Sequence, residues 1–325
     1  MMDITFSIIL PVYNKEEFVA QAIESVLNQE YKNLELIVIN DGSTDNSLYI
    51  CEGYKHQDAR VTIINQENSG VSKSRNVGIE KSNGKYIIFL DADDYLEKNC
   101  LSTFINYEEE IEDIFICSFK RIFPNGNSRI FNRFKNLYPK VNGSGQLILK
   151  EMYETNIYES SVWTNIYGRE FINKNNLFFT NGLIHEDEEW LIKALLIAKR
   201  VKVLDMILYN TRAGVQNSII NSINYKKNIS KILISDNILK FISNVKFEDT
   251  ELEKRLKLGM TSFYIKAVIG CNIFNNNERK DILKLAREKK YILKNVVSIK
   301  QKLVKIIFDI LGLDNGSKIL NKVMK

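Results

Sequence analysis

Cysteine is scarce in this sequence, and its placement excludes two common kinds of site. The 325 residues contain four cysteines, which lie far apart and form no Cys-x-x-Cys pair: Cys51, Cys100, Cys117 and Cys271. Zinc sites and disulfide scaffolds both need cysteines at short or matched spacings. The sequence therefore predicts neither, and isolated thiols of this kind are typical of a reducing compartment.

Long hydrophobic runs are also missing. No segment reaches the roughly 18 consecutive apolar residues of a membrane-spanning helix. The run from Phe6 to Val12 is too short for a span or for a signal peptide, and Asp3 precedes it where a signal peptide carries positive charge. A composition of 45% hydrophobic and 26% charged residues is that of a globular protein. We therefore expect a protein that is not integral to a membrane.

Two glycine-rich phosphate-binding motifs are absent as well. The turn after the first apolar run reads P-V-Y-N-K-E-E and lacks the G-x-G-x-x-G pattern of dinucleotide-binding sites. A Walker A pattern occurs nowhere in the chain. These absences exclude a Rossmann dinucleotide site and a P-loop.

The first hundred residues alternate between short apolar runs and amphipathic segments. The runs predict strands and the segments between them predict helices. The predicted strands are 6–11, 34–39, 61–64 and 86–90, and the predicted helices are 16–29, 46–54 and 71–81. Strands without polar alternation are buried on both faces, and helical connections between them make right-handed crossovers. This order predicts an α/β fold with a mostly parallel sheet flanked by helices.

The fourth predicted strand ends in a group of acids, within Y-I-I-F-L-D-A-D-D-Y. Asp91, Asp93 and Asp94 crowd together there, and like charges a few ångströms apart are unfavourable without a cation or a donor. Carboxylate oxygens, together with water and phosphate, are the ligands that Mg²⁺ or Mn²⁺ prefers. The acids therefore predict a metal-assisted phosphate site. The alternative is that they only cap a helix over 95–106.

The other predicted strands also end in polar clusters. Because the carboxyl ends of parallel strands share one edge of a sheet, these clusters should lie together. Tyr13 offers a ring that can stack on a base, and Asp41 offers a carboxylate that can accept from a base N–H. Gly42 and Gly70 allow close backbone approach, and helix N-termini at this edge favour phosphate. This inventory fits a nucleoside diphosphate.

The second half of the chain begins with a strand pattern over 113–119 and a hairpin tip at 124–127. Beyond it, the sequence H-E-D-E-E-W at 185–190 opens a predicted helix. Four acids in a first turn suit a helix N-terminus even without any function. Spacing alone therefore leaves the capping and the catalytic interpretations open.

Residues from 223 onward lose the strand patterns and become helical. From Lys280 to Lys325 the chain has 12 Lys or Arg against 4 Asp or Glu. Apolar residues recur every three or four positions from Ile292 to Leu313, which predicts a basic amphipathic helix. Such a helix can bind an anionic membrane surface, pack on its own domain or pair with a second copy in a homodimer. A nucleic-acid binder would account for this tail but not for the acidic edge, so no nucleic-acid partner is predicted.

Four motifs follow one another in the first half of the chain: S-I-I-L-P-V-Y-N-K-E-E-F-V-A-Q-A-I-E-S-V-L-N-Q, N-D-G-S-T-D-N-S, N-S-G-V-S-K-S-R-N-V-G-I and F-L-D-A-D-D. Together they resemble the motifs of family 2 glycosyltransferases, which have the GT-A fold. The resemblance implies inverting transfer of a sugar from a nucleotide sugar, usually UDP-linked, with Mn²⁺ or Mg²⁺ as the cofactor. It also implies donor-binding roles for six residues, of which Asp93 would ligate the metal: Pro11, Tyr13, Asp41, Arg75, Asp91 and Asp93.

The resemblance also changes the interpretation of the acids at 186–189. In this family an E-D pair that opens a helix after the donor half supplies the catalytic base. The matching residue is Asp187, with Glu186 as the alternative. The implied organisation is a catalytic domain over 1–222, with a nucleotide-sugar-binding half (1–110) and an acceptor-side half (111–222), followed by a helical C-terminal region over 223–325.

The implied acceptor is a lipid-linked glycan or a growing cell-surface polysaccharide. The implied location is cytoplasmic, peripheral on the inner face of the bacterial cell membrane. A nucleotidyltransferase is one alternative, but it would need a basic glycine-rich loop after the first strand. A non-catalytic glycan-binding or scaffold protein on the same fold is the other. It predicts lost acids, whereas all four are present: Asp41, Asp91, Asp93 and Asp187.

Overall fold

The computed structural model describes residues 5–107, 112–132, 143–158, 160–214 and 224–323. The chain divides into two compact units. The sheet unit comprises 1–182 with 197–218, and the helical unit comprises 183–196 with 219–325. The sequence placed 183–196 with the catalytic domain, whereas the structure groups these residues with the C-terminal helices.

Four parallel strands form the first half of the sheet, in the order β3-β2-β1-β4. They are β1 (Phe6–Val12), β2 (Leu34–Asp41), β3 (Val61–Gln66) and β4 (Tyr86–Phe89). The connecting helices are α1 (Val19–Leu27), α2 (Ser47–Gln57) and α3 (Val71–Lys81). Every residue of β4 is buried, as expected for a strand covered on both faces. The predicted α/β fold class is confirmed.

The second half of the sheet is mixed. It continues in the order β8-β6-β9-β5, with β7 paired to β6. These strands are β5 (Tyr95–Leu96), β6 (Ile114–Ile122), β7 (Ser128–Phe131), β8 (Asn165–Gly168) and β9 (Val201–Arg212). Among them lie α4 (Cys100–Ile105), α5 (Gly145–Glu154) and α6 (Arg169–Lys174). Strand β8 runs antiparallel to both β4 and β6, so it joins the two halves.

The predicted helix over 95–106 is wrong in its first turn. Tyr95 and Leu96 instead pair with β9 as strand β5. The helix begins only at Cys100, after Asn99 in a left-handed conformation (φ 57°) that cannot continue a helix toward the N-terminus. Pairing with a distant strand has overridden local helix propensity here. The acids at 91–94 therefore do not cap α4.

An aromatic cluster anchors the strands that carry the acidic edge. The ring of Phe104 on α4 lies 4.8 Å from Phe115, 5.2 Å from Tyr86 and 5.4 Å from Phe6, measured between centroids. All three contacts are edge-on, which is a favourable geometry for aromatic pairs. Because these four residues belong to α4, β6, β4 and β1, the cluster fixes β1 and β4 relative to each other.

The helical unit contains five helices among its described residues. They are α7 (Glu186–Ile197), whose last residue belongs to the sheet unit, α8 (Tyr225–Ile242), α9 (Thr250–Gly270), α10 (Asn276–Glu288) and α11 (Ile299–Val323). Buried polar side chains join α8 to α9: Ser235 Oγ donates to the Met260 carbonyl (2.8 Å) and Asn228 Nδ2 donates to the Ala267 carbonyl (3.0 Å). No described helix is long and apolar enough to cross a membrane.

The predicted helix from Ile292 to Leu313 is not continuous. Residues Lys290–Asn295 form a 3-10 segment, and α11 begins at Ile299. A capping box starts α11, because Ser298 Oγ accepts from the Gln301 N–H (3.2 Å) while Gln301 Oε1 accepts from the Ser298 N–H (3.4 Å). Gly312 has a φ of 73° and breaks the helix into two segments.

Candidate active site

The loops after β1 and β2 are tied together at the carboxyl edge of the parallel strands. The Asn14 N–H donates to Ser43 Oγ (3.2 Å), and Asn14 Oδ1 accepts from the Thr44 N–H (2.8 Å). Tyr13 lies beside this junction with 47% of its surface exposed, and Pro11 is half-buried near the end of β1. The loop therefore presents an accessible aromatic ring at the predicted place for a base.

Asp41, the last residue of β2, is only 4% exposed and holds the loop before α3. Its Oδ1 accepts from Gln66 Nε2 (2.7 Å) and from the Ser69 N–H (2.8 Å), and its Oδ2 accepts from the Gly70 N–H (2.9 Å). Among the described residues, these three donors occupy three of the roughly four acceptor positions of a carboxylate. Asp41 thus has a structural role and retains capacity for one further donor.

Arg75 on α3 is held in a fixed position against the end of β4. Its Nη2 lies 2.9 Å from Asp91 Oδ1, and its side chain is only 3% exposed. The guanidinium carbon lies 5.2 Å from the ring centroid of Phe179. Asn76 in turn locks Phe179, because its side-chain amide donates to the Phe179 carbonyl (2.9 Å) and accepts from the Phe179 N–H (2.8 Å). The Arg75–Asp91 pair is therefore a rigid part of this edge.

The D-A-D-D sequence forms a tight turn in which the Asp94 N–H donates to the Asp91 carbonyl (3.0 Å). Asp91 and Asp93 are partly exposed, whereas Ala92 and Asp94 are buried. Asp93 pairs with Lys15, which belongs to the loop after β1: the distance from Lys15 Nζ to Asp93 Oδ2 is 2.7 Å. The turn thus directs two of its carboxylates to the surface and one inward.

Asp94 faces inward, toward β9. The Arg212 N–H donates to Asp94 Oδ1 (2.8 Å), and the nearby Tyr209 hydroxyl accepts from the Asp91 N–H (3.0 Å). Burial, together with the charges of Asp93 and Asp91, raises the pKa of Asp94 to about 8. Asp94 is therefore mostly protonated at neutral pH and ties the turn to the end of β9.

The three acids are thus balanced without a metal: Arg75 pairs with Asp91, Lys15 pairs with Asp93, and Asp94 holds a proton. Within the described part of the chain, no group of three or more His, Cys, Asp or Glu side chains is arranged to hold a metal. Mg²⁺ and Mn²⁺ do not need such a cage, because one or two carboxylates plus phosphate and water suffice. The partly exposed carboxylate of Asp93 fits that donor set.

The acids at the start of α7 also comprise buried and more accessible side chains. Glu186 is 9% exposed and Glu189 is 2% exposed, with Glu189 Oε2 accepting from Asn237 Nδ2 (3.0 Å). Asp187 is more accessible to solvent than either of them. His185 precedes the helix with a φ of 67°, a conformation that is uncommon for residues other than glycine. Burial lowers the pKa of His185, so its ring is mostly neutral at pH 7.

Lys15 is a residue of this edge that the sequence analysis did not identify. The predicted residues of the sheet unit do lie on adjoining loops of one sheet edge. Lys15 could have been found as the only basic residue in P-V-Y-N-K-E-E, the loop that lies beside the acids at 91–94. A Cβ at Gly42 would lie 2.8 Å from the Asn68 backbone nitrogen, so this glycine packs closely against the loop before α3. Asp187 lies in the helical unit.

The α/β fold, its helical C-terminal region and this acidic sheet edge define a protein of the GT-A class. The chain belongs to glycosyl transferase family 2, whose family model matches residues 7–174. A similar curated protein is the uncharacterized glycosyltransferase EpsJ of Bacillus subtilis, which is 35% identical over 211 residues. This alignment covers 62% of the present chain and 59% of EpsJ.

A second relative is the poly(ribitol-phosphate) beta-N-acetylglucosaminyltransferase TarS of Staphylococcus aureus. It is 28% identical over 204 residues, which make up 61% of this chain and 34% of TarS. The crystal structure of TarS residues 1–349 in complex with UDP-GlcNAc superimposes with a TM-score of 0.69 at 22% identity. The superposition covers 96% of this chain and 89% of that structure, and it shows a shared fold. The chain thus spans less than two thirds of the length of these two curated relatives.

Proposed function

We propose that the protein transfers a sugar from a UDP-sugar to a lipid-linked or growing cell-surface polysaccharide, with inversion at the anomeric carbon. The observation that carries the proposal is the gathering of an exposed aromatic ring, a loop-holding carboxylate, a fixed Arg–Asp pair and a surface carboxylate on one sheet edge. Family membership supports the reaction class.

In this proposal each donor residue has a role that its environment permits. Pro11 and Tyr13 receive the base, with the ring of Tyr13 stacked on it. Asp41 accepts a base N–H through its remaining acceptor position. Asp91 lies against the ribose, and Arg75 supports it while contributing positive charge near the diphosphate.

Asp93 is the proposed ligand of Mn²⁺ or Mg²⁺. When bound, the ion neutralises charge on the leaving diphosphate. Asp93 is suited to this role because its side chain is 25% exposed, whereas Asp94 is buried and mostly protonated.

Asp187 is the proposed catalytic base. Inversion requires a carboxylate that takes the proton from the acceptor hydroxyl while that oxygen attacks the anomeric carbon opposite the leaving UDP. Asp187 is accessible at the start of α7, whereas its alternative Glu186 is nearly buried.

The acceptor is proposed as a class of molecule and not as a particular compound. TarS is named for a poly(ribitol-phosphate) acceptor, which supports a polymer as the acceptor class. A nucleotidyltransferase and a non-catalytic scaffold are less well supported, because the first lacks its loop and the second predicts lost acids.

The proposed location is the inner face of the cell membrane, reached through α11. Four apolar residues on one line of this helix are 52–77% exposed: Ile299, Leu303, Ile306 and Ile310. At about 100° per residue, Val304 and Phe308 lie on the opposite side, and both are buried. Packing within the protein therefore explains the apolar character of Val304 and Phe308. It does not explain why the opposite side of the helix is apolar as well. Flanking lysines, Lys300 and Lys302, suit an interface with anionic lipid.

Calorimetric titration of UDP tests the donor site, with Mn²⁺ and then with EDTA. Wild type is expected to bind UDP more tightly with Mn²⁺, and Asp93→Ala is expected to lose that dependence. Absence of UDP binding under both conditions would favour the scaffold interpretation or another nucleotide.

The variant Asp187→Asn tests the proposed catalytic base. It is expected to keep UDP-sugar binding and lose turnover, and turnover at the parent rate would remove Asp187 from the mechanism.

Sedimentation with anionic liposomes at low salt tests the membrane surface. The double variant Leu303→Gln and Ile310→Gln is expected to remain in the supernatant, because it removes two apolar contacts without altering the buried line of α11. Ile273→Gln is the matched control, since Ile273 is 63% exposed outside α11. Failure of wild type to sediment would refute the membrane proposal.

A further inference from the structure

The ion pair between Lys15 and Asp93 occupies the carboxylate that the metal is proposed to use. Lys15 Nζ lies 2.7 Å from Asp93 Oδ2, and both side chains are 25% exposed. The backbone of Lys15 is fixed, because its N–H donates to the buried Ser47 Oγ at 2.8 Å. The ammonium group is therefore carried by a flexible side chain on a rigid loop.

The neighbouring pair of Arg75 and Asp91 has the opposite character. Arg75 is 3% exposed, packed over Phe179 and fixed through Asn76. Moving its guanidinium would expose this packing, whereas moving the ammonium of Lys15 breaks only a contact between two partly exposed side chains. Ion pairs that solvent reaches contribute little to stability.

From this contrast, and resting on the proposed function, we propose that Lys15 is a movable counterion that competes with the metal for Asp93. A divalent ion and an ammonium cannot both contact Asp93 Oδ2, because they would repel each other at close range. The diphosphate of the donor offers the ammonium a second anionic partner at the same edge. Donor binding thus releases Asp93, and metal and donor bind cooperatively.

This mechanism has a reciprocal consequence. If nucleotide binding strengthens metal binding by a given factor, metal binding strengthens nucleotide binding by the same factor. Lys15 supplies part of that factor, because its ammonium suppresses metal binding only while no diphosphate is present. The coupling should therefore shrink when the ammonium is removed.

Free Mn²⁺ measured by electron paramagnetic resonance tests the proposal. Titrations with and without UDP would compare wild type, Lys15→Met, Lys15→Arg and Lys73→Met, where Lys73 is an exposed residue of α3. Without UDP, Lys15→Met is expected to bind Mn²⁺ at least fivefold more tightly than wild type, and UDP is expected to enhance its binding less. Lys15→Arg keeps the positive charge and should bind Mn²⁺ weakly, as wild type does, and Lys73→Met should match wild type.

Equal or weaker Mn²⁺ binding by Lys15→Met without UDP would overturn the proposal. An equal gain in Lys73→Met would overturn it too, because the effect would then come from net charge. Asp93→Asn in the Lys15→Met background should abolish the tighter site, and retention of that site would place the metal elsewhere. If wild type binds UDP and Mn²⁺ but Lys15→Met behaves identically, only the role of Lys15 fails. If wild type binds neither, the proposed donor site fails with it.

Discussion

The replacement Asp41→Asn tests whether the carboxylate at the end of β2 holds the loop before α3. The carboxylate accepts three hydrogen bonds, from Gln66, Ser69 and Gly70. An asparagine of the same shape must turn an N–H₂ group toward at least one of these donors, whichever way its amide is oriented. Each bond to a charged group contributes about 1.5–3 kcal/mol, and a buried donor left unpaired adds to the loss.

We therefore expect Asp41→Asn to lower the free energy of unfolding of the sheet unit by about 2–4 kcal/mol. Urea unfolding followed by tryptophan fluorescence can isolate this unit. The protein has two tryptophans: Trp163 belongs to the sheet unit, where it stacks on Tyr209 at 4.5 Å, and Trp190 belongs to the helical unit. In a Trp190→Phe background the signal reports the sheet unit alone.

The control for this experiment is Asp205→Asn. Asp205 is exposed and accepts one hydrogen bond, from Asn132 Nδ2 at 2.7 Å. Its replacement is expected to change the free energy of unfolding by less than about 0.5 kcal/mol. An equally small effect for Asp41→Asn would refute the argument, because the loop would then be held without the charge.

Four further predictions concern other parts of the sheet unit. Gly78→Ala should lower the free energy of unfolding, because the new Cβ would lie 2.3 Å from Ile9 Cγ2 and overpacking costs about 1–3 kcal/mol. Gly53→Ala, whose new Cβ would meet no other side chain or neighbouring element within 4 Å, should instead raise it by roughly 0.5–1 kcal/mol in the same urea assay. Burial raises the pKa of Cys51 to about 12, so its thiol should react with a disulfide reagent at pH 8 far more slowly in folded than in urea-unfolded protein. The pKa of Asp94 is about 8 in the folded protein, against 3.8 for an ordinary Asp in an unfolded chain, so the folded state binds an extra proton between these two pH values. Stability in EDTA should therefore fall as pH rises from about 4 to about 8, and Asp94→Asn should flatten this slope.

The local pattern was sufficient to predict the four strands β1 to β4 and the three helices between them. Helix α3 has the predicted bounds of 71 and 81. Its neighbours β1 to β4 differ by a few terminal residues. Runs of apolar residues without alternation identify strands covered on both faces, and this information is entirely local. Strand β5 was missed because its two residues become a strand only by pairing with β9.

In the C-terminal helix α11, too, one feature could be predicted from the sequence and another was decided by packing. Its amphipathic period was visible in the sequence, but the period alone did not separate the line that packs inside from the line that faces solvent. Val304 and Phe308 are buried while Ile299 and Ile310 are 77% and 75% exposed, and only packing against other helices decides this. The capping box formed by Ser298 and Gln301 explains why α11 begins at Ile299 and not at Ile292.

At the candidate site, the sequence by itself determined which chemical groups stand at the ends of the strands. A short motif fixes the order of Asp91, Asp93 and Asp94 along one turn, so their proximity follows from chain connectivity. Only the tertiary structure decided how their charges are balanced, because the cation of Lys15 and that of Arg75 come from other loops and helices. It also decided that Asp94 is buried and mostly protonated. Charge partners distant in sequence, and burial by distant strands, are set by folding and leave no local signature.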